Sequence, residues 1–207
     1  FARRARAQAW PARPGRIVVG FSGGPEAAAR IIANQLTGLW GQQAIVEAKM
    51  GASGNIAAET VARSAPDGHT ILLAGTPLVT SSFLHPSLSY DPVADFAPVS
   101  LVSLQPNVMI VPNSSPARSI AEFVAHAKGN PGKITYGSPG RGTTVHLCGE
   151  LFKRMTGIEM THVPYSSPSM IMGDLMTGRI DAVFPTFALA LPLISSGQVR
   201  GLAVAWP

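Results

Sequence analysis

From Arg16 onward, short apolar, β-rich runs alternate with Ala- and Leu-rich stretches of helical period. This alternation predicts an α/β protein with mainly parallel strands, because parallel neighbours need a crossover and each helix supplies one. Arg16 to Phe21 reads as a strand and Ser22 to Pro25 as a glycine turn. Glu26 to Trp40 reads as a helix, with Ala29, Ile32, Ala33, Leu36 and Leu39 or Trp40 along one face and Gly41 as its stop. Ala44 to Ala48 is a strand and Met50 to Gly54 a loop; Asn55 to Ser64 is a helix for which Asn55 is the expected N-cap. After the Pro66-Asp67-Gly68 turn, Thr70 to Ala74 reads as a buried strand, and Gly75, Thr76 and Pro77 lead into a short helical segment. Tyr90 to Phe96 is a loop. Val99 to Val111 is mostly apolar but interrupted by Pro106, which predicts two extended pieces meeting at a bend.

A second set of units follows. Ser119 and Glu122 form a capping box that opens a helix ending at Lys128, and Gly129 to Gly132 terminate it. Lys133 to Tyr136 is expected as a strand, Gly137 to Gly142 as a glycine loop, and Thr143 to Thr156 as a helix stopped by Gly157. Further strands are expected at Glu159 to Val163, Arg179 to Phe184 and Val199 to Ala205, with helices at Ser169 to Thr177 and Phe187 to Ser195. The chain is expected to divide near residues 104–114.

Composition narrows the class. In 207 residues, 46% are hydrophobic and only 13% charged, so a buried core is expected rather than disorder. The net charge of +5 comes from Arg3, Arg4, Arg6, Arg13 and Arg16; without those five, basic and acidic residues balance at 11 each. Nucleic-acid binding needs basic residues spread over a face, so it is not expected. No run approaches the roughly 18 apolar residues of a membrane-spanning helix. Ala7, Gln8 and Ala9 form the small-x-small pattern of a signal-peptidase site, so residues 1–9 read as an export-signal remnant, although short Ala/Arg tracts also arise by chance. The single cysteine, Cys148, has no disulfide partner and reads as a small core residue.

The most informative feature is a strand, a glycine-rich turn and a helix start occurring together twice. One copy is Phe21-Ser22-Gly23-Gly24-Pro25 and the other runs from Ser138 through Gly140, Arg141 and Gly142 to Thr143 and Thr144. A helix start leaves unpaired N–H groups with a partial positive charge, and glycine removes the Cβ that would keep a ligand away. Either loop alone reads more readily as a tight turn. The duplication, with hydroxyls at Ser22, Ser138, Thr143 and Thr144, points to two anion sites and thus to a ligand with two carboxylates. Phosphate recognition fits worse, because neither loop has a Gly-Lys-Ser/Thr ending or a Gly-x-Gly-x-x-Gly order.

Catalytic signatures are weak: there is no Gly-x-Ser-x-Gly and no His-Glu-x-x-His, and histidines are scattered at 69, 85, 126, 146 and 162. His146 can donate to a bound anion or pack on its helix face. Asp181 reads as a base or as a structural carboxylate, and Tyr165 after Pro164 as a cleft or packing residue. A small hydrolase using His146 or Asp181 therefore stays open as an alternative. No metal or organic cofactor is expected.

Taken together, the motifs resemble the substrate-binding component of tripartite tricarboxylate transporters, the Bug or TctC-like family. The resemblance is carried by Gly51-Ala-Ser-Gly-Asn-Ile56, Ala65-Pro-Asp-Gly-His-Thr-Ile-Leu-Leu73, Tyr90-Asp-Pro92, Asp95-Phe-Ala-Pro-Val99, Asn130-Pro-Gly-Lys133, Tyr136-Gly-Ser138, Gly140-Arg-Gly142, His162-Val-Pro-Tyr165 and Gly178-Arg-Ile-Asp181. It implies a type II periplasmic-binding-protein fold, with two α/β lobes joined by crossing strands and closing on a small organic carboxylate. Residues 10–104 would form the first lobe, without its C-terminal part; 105–198 would form the second, and 199–207 would return toward the first. It also implies a periplasmic monomer without catalytic activity that delivers its ligand to a membrane permease. The implied ligand-binding residues are Phe21, Ser22, Gly23, Gly24, Glu26, Thr76, Ser138, Gly140, Gly142, Thr143, Thr144, His146, Pro164, Tyr165 and Asp181. Departures from the family pattern cluster on that side: a shorter first loop with Glu26 for the usual Asp, Ser166-Ser167 for Lys-Gly, and Phe184-Pro185 for Phe-Asp. A degenerate member that no longer binds is therefore a further alternative.

Overall fold

The computed structural model describes residues 10–205. The Ala7-Gln8-Ala9 pattern lies outside the described residues. By packing, the chain forms two compact units, one ending at Ala74 and one beginning at Gly75. The sequence placed its division near residues 104–114; the stretch between groups with the second unit, where the helix after Gly75 packs on a glycine turn.

In the first unit, β1 (Gly15–Val19), β2 (Ala44–Ala48) and β3 (Thr70–Leu73) form a parallel sheet in the order β2-β1-β3. Between them run α1 (Gly24–Trp40) and, after a 3₁₀ turn at Ala52–Gly54, α2 (Asn55–Ala62). β1 is central and nearly all buried, and Ile17 and Val19 pack against Ala29 and Ala33 of α1. Among the described residues, β3 pairs only with β1, and its four residues are half-buried rather than fully buried as expected. Gly54, not Asn55, occupies the N-cap of α2, and Asn55 is its first helical residue.

The second unit contains α3 (Pro77–Leu84), β4 (Asn107–Pro112), α4 (Ile120–Lys128), β5 (Thr135–Ser138), α5 (Thr144–Thr156), β6 (Thr161–Pro164), α6 (Pro168–Met176), β7 (Ala182–Val183), α7 (Phe187–Ser195) and β8 (Val199–Ala205). Its five-stranded sheet has the order β6-β5-β7-β4-β8. β5 runs parallel to β6 and β7, whereas β4 is antiparallel to β7 and β8. All six residues of β4 are buried because alternate side chains serve two cores. Met109 and Val111 join Phe123, Ala127, Tyr136 and Phe184 on one face; Val108 and Ile110 join Ile171, Leu175 and Ala190 on the other.

The bend expected inside Val99–Val111 is replaced by a boundary. Regular pairing starts only at Asn107, and the 97–106 segment has no assigned secondary structure, with Val99 84% exposed. An apolar run becomes a strand only when a neighbour satisfies its backbone, and none among the described residues does so here. The strand expected from Arg179 shortens to Ala182–Val183.

On the helical side of β5, α5 approaches so closely that a Cβ on Gly149 would overlap the buried Tyr136 ring. Gly149→Ala is therefore expected to lower the unfolding free energy by about 1–3 kcal/mol, as overpacking does. Urea unfolding checks this, and an unchanged midpoint would contradict the close approach.

Candidate functional site

The first glycine turn links β1 to α1. Gly23 sits at φ 76°, ψ −127°, a conformation side-chain-bearing residues rarely adopt, and Pro25 in the first helical turn presets the entry. Among the described residues, the turn is closed by the bond from Ala27 N–H to the Gly23 carbonyl, at 2.9 Å. Among the described residues, no acceptor faces the N–H groups of Ser22, Gly24 or Glu26. Gly23 and Gly24 are exposed, and Ser22 is half-buried. A Cβ on Gly54 would meet the Phe21 ring at 2.8 Å, so that ring lies across the start of α2. The Glu26 carboxylate accepts a 2.7 Å bond from Arg30, which partly offsets a negative charge at the helix start.

The second turn links β5 to α5, and its polar groups are mostly engaged. Ser138 is fully buried; its hydroxyl accepts from Gly140 N–H at 3.1 Å and shares a 2.6 Å bond with His162 Nε2. Thr143 is the N-cap: its Oγ1 accepts from His146 N–H and donates to the Gly140 carbonyl at 2.8 Å. His146 Nδ1 accepts from Gly142 N–H at 3.3 Å, and Thr80 Oγ1 on α3 donates to the Gly142 carbonyl at 2.9 Å. Gly142 adopts φ 80°, and a Cβ there would meet Leu84 at 2.8 Å. What remains, among the described residues, are the N–H groups of Arg141, Thr144 and Val145, for which no acceptor is present. Arg141 and Thr144 are exposed.

Beneath this turn lies an aromatic floor. The ring of His146 stacks on Tyr136 at 6.4 Å and meets His162 edge-on at 4.6 Å, while His162 lies 5.1 Å from Tyr136. Tyr136 donates to Glu150 at 2.6 Å, and Lys153 pairs with the same carboxylate. Burial, then the Glu150 bond, raises the Tyr136 hydroxyl well above its usual range. Burial also lowers His146, and burial together with neighbouring His146 holds His162 down to about 4. Both rings are thus neutral near pH 7.

The structure does not gather every expected site residue at the turns. The hydroxyls of Ser138 and Thr143 brace the turn rather than line its surface. Asp181 accepts from Thr135 N–H and Oγ1, at 2.8 and 2.9 Å, at the start of β5 and thus at the opposite end of that strand from Ser138. Tyr165 follows Pro164 at the end of β6, beside Ser138; its hydroxyl donates to Asp174 at 2.8 Å and, through burial and that bond, is pushed up to about 12. Thr76 precedes α3 and its carbonyl accepts from Thr80. His162 and Thr80 were not assigned roles from sequence; the parallel register that sets His162 beside Tyr136 is the signal that reveals the first. An open hollow of about 660 Å³ lies along residues 82–95, and none of its lining residues belongs to either turn. Among the described residues, no His/Cys/Asp/Glu group is placed to hold a metal, and no helix is long and apolar enough to cross a membrane.

The sequence model of the tripartite tricarboxylate transporter family receptor (TctC) matches residues 28–206. The chain belongs to this TctC family. It is similar to the UPF0065 protein in the tcbD-tcbE intergenic region of Pseudomonas sp. (strain P51), 37% identical over 98% of this chain and 61% of that protein. It also resembles Protein BugT of Bordetella pertussis, 33% identical over 96% of this chain and 62% of that protein. The chain thus spans about three-fifths of the length of these relatives. Among solved structures, an R. palustris protein with adipate superimposes with TM-score 0.88 at 38% identity, covering 95% of this chain and 67% of that one. MatC from Rhodopseudomonas palustris, with bound malate, gives TM-score 0.84 at 27% identity, covering 95% and 68%. The TctC chain therefore has the α/β fold of periplasmic binding proteins, in a family of solute-binding proteins.

The neutral histidines of this TctC member carry a pH consequence. An unfolded chain protonates its histidine near 6.5, whereas folded His162 waits until about 4. The folded state therefore binds fewer protons in that window, and the His162 contribution is complete above about 6.5 and lost as pH falls toward 4. His162→Gln is expected to flatten the acid-side slope of unfolding free energy across that window. Equal slopes in both proteins would contradict it.

Proposed function

We propose that the chain is the ligand-capturing part of an exported solute-binding protein that takes up a small organic dicarboxylate and delivers it to the membrane permease of a tripartite tricarboxylate transporter. It acts in the periplasm, as a monomer. The supporting observation is the pair of turns: each offers three N–H groups without an acceptor among the described residues, at the N-termini of α1 and α5. Each helix start carries about half a positive charge, and amide donors to a carboxylate contribute more than neutral hydrogen bonds do. Arg141 is the only basic side chain within either turn, so oriented amides supply most of the attraction. Solved family relatives with adipate and malate carry ligands of this dicarboxylate class.

The hydrolase alternative, with His146 or Asp181 as base, has less support, since His146 Nδ1 is taken by Gly142 N–H. The Ser138–His162 pair has the spacing of a nucleophile and base, but the hydroxyl is 0% exposed and already holds Gly140 N–H. Asp181 is committed to Thr135.

Calorimetry against mono-, di- and tricarboxylates tests this function, with the dicarboxylates expected to bind tightest. A Cβ on Gly24 would point into open space, so Gly24→Val is expected to fold normally while its side chain crowds the amides. Loss of one charge-assisted bond corresponds to roughly tenfold or more weaker binding. Unchanged affinity in a folded Gly24→Val protein would contradict the role of the first turn, and no binding of any carboxylate would favour a member that has lost its ligand.

A further inference from the structure

Gly142 is the one residue of the second turn whose peptide N–H and C=O are both gripped by side chains from helices. His146 on α5 takes the N–H at 3.3 Å, and Thr80 on α3 gives its hydroxyl proton to the carbonyl at 2.9 Å. The two grips differ in kind. A threonine hydroxyl donates at any pH, whereas an imidazole nitrogen accepts only while it is unprotonated. We propose that Gly142 carries a switched amide: neutral His146 withholds its N–H, Thr80 fixes its carbonyl, and capture of an anion at this turn is coupled to uptake of a proton on His146.

The resting state follows from the surroundings of the ring. From β5 the Tyr136 ring stacks on His146; from β6 His162 meets it edge-on; Arg141 lies in the turn, and Glu150 and Lys153 lie further along α5. α3, running from Pro77 to Leu84, has no titratable side chain. Burial, Arg141 and Lys153 oppose a charge on the ring, while Glu150 favours one, and the balance keeps His146 neutral at rest. Protonation puts a hydrogen on Nδ1, so the Gly142 N–H loses its acceptor. That amide then joins those of Arg141, Thr144 and Val145 as an open donor, next to a new positive charge on the first turn of α5. A bound anion favours both changes. Thr80 and the Leu84 methyl, seated where a Gly142 Cβ would lie, keep the peptide in place while the N–H is released. His146 and Thr80 are thus positioning residues that act through Gly142.

The ligand half of this proposal rests on the dicarboxylate function above; the resting latch does not. The latch is tested on the whole chain without ligand, by following the Gly142 amide and the His146 ring signals by NMR from about pH 8 to about pH 4.5, across the usual histidine range. The amide signal is expected to move with the midpoint of the His146 ring, and to lose that inflection in His146→Gln, which keeps an acceptor but does not titrate. A Gly142 amide that stays still while His146 titrates would overturn the switch. The coupling is tested by calorimetry with adipate near pH 7, where carboxylates are ionised, in two buffers of different ionisation enthalpy. Net proton uptake is expected for the natural sequence and none for His146→Gln, with affinity rising by up to about tenfold per unit fall in pH. Binding without uptake, or equal uptake in both proteins, would overturn the coupling. Thr80→Val is expected to weaken adipate by about tenfold and Thr80→Ser to restore it, since only the hydroxyl is at issue; equal loss in both would overturn the role of Thr80. No adipate binding with the Gly142 amide still following His146 would overturn the dicarboxylate function while supporting the latch.

Discussion

Backbone N–H groups at a helix start must find an acceptor or face water, and the candidate site is organised by how that requirement is met. At the β5–α5 turn, Ser138 takes one amide, His146 another and the Thr143 N-cap a third. The amides that remain are held in place by a turn that cannot collapse onto them. At the β1–α1 turn, almost nothing competes for the amides, and Pro25 removes one donor outright. Both turns therefore present oriented donors, and neither relies on a buried cation. Such donors need little reorganisation when an anion arrives, which is why amide cradles at helix starts recur in anion binding.

The second unit supports its turn from below. β5 carries Tyr136 and Ser138 on successive inward positions, and its parallel register with β6 sets His162 beside Tyr136 and Pro164 beside Ser138. Tyr136, His146 and His162 form a packed layer whose polar atoms are committed: one hydroxyl to Glu150, one ring nitrogen to Ser138, another to Gly142. Because burial keeps both histidines neutral, the layer adds stiffness without adding charge. From the side, α3 contributes Thr80 and Leu84, so the geometry of the turn is decided by residues about 60 positions apart in the chain.

Local signals in the sequence were read correctly where the physics is local. The capping pair Ser119 and Glu122 and the left-handed stop at Gly157 follow from groups acting within one or two turns of backbone, and the expected range of α7 matches as well. Both glycine turns were also legible, since a strand, small residues and a helix start lie next to one another in the chain. What escaped depends on long-range register. Whether the hydroxyl of Ser138 faces a ligand or its own turn is decided by His162, 24 residues later. Asp181 is bound to Thr135 through the pairing of β7 with β5, which no short motif encodes. The apolar 97–106 segment has strand-like composition, but composition cannot supply a neighbour, and Val99 and Leu101 remain exposed.

The proposed function makes the same claim about each turn taken by itself: the helix-start amides, at α1 and at α5, receive an anionic group. The most direct measurement is an amide NMR titration of the whole chain with adipate. The proposal predicts saturable shifts in the signals of Ser22, Gly24 and Glu26 and in those of Arg141, Thr144 and Val145. Shifts confined to other residues, or to one turn alone with the other silent, would contradict it.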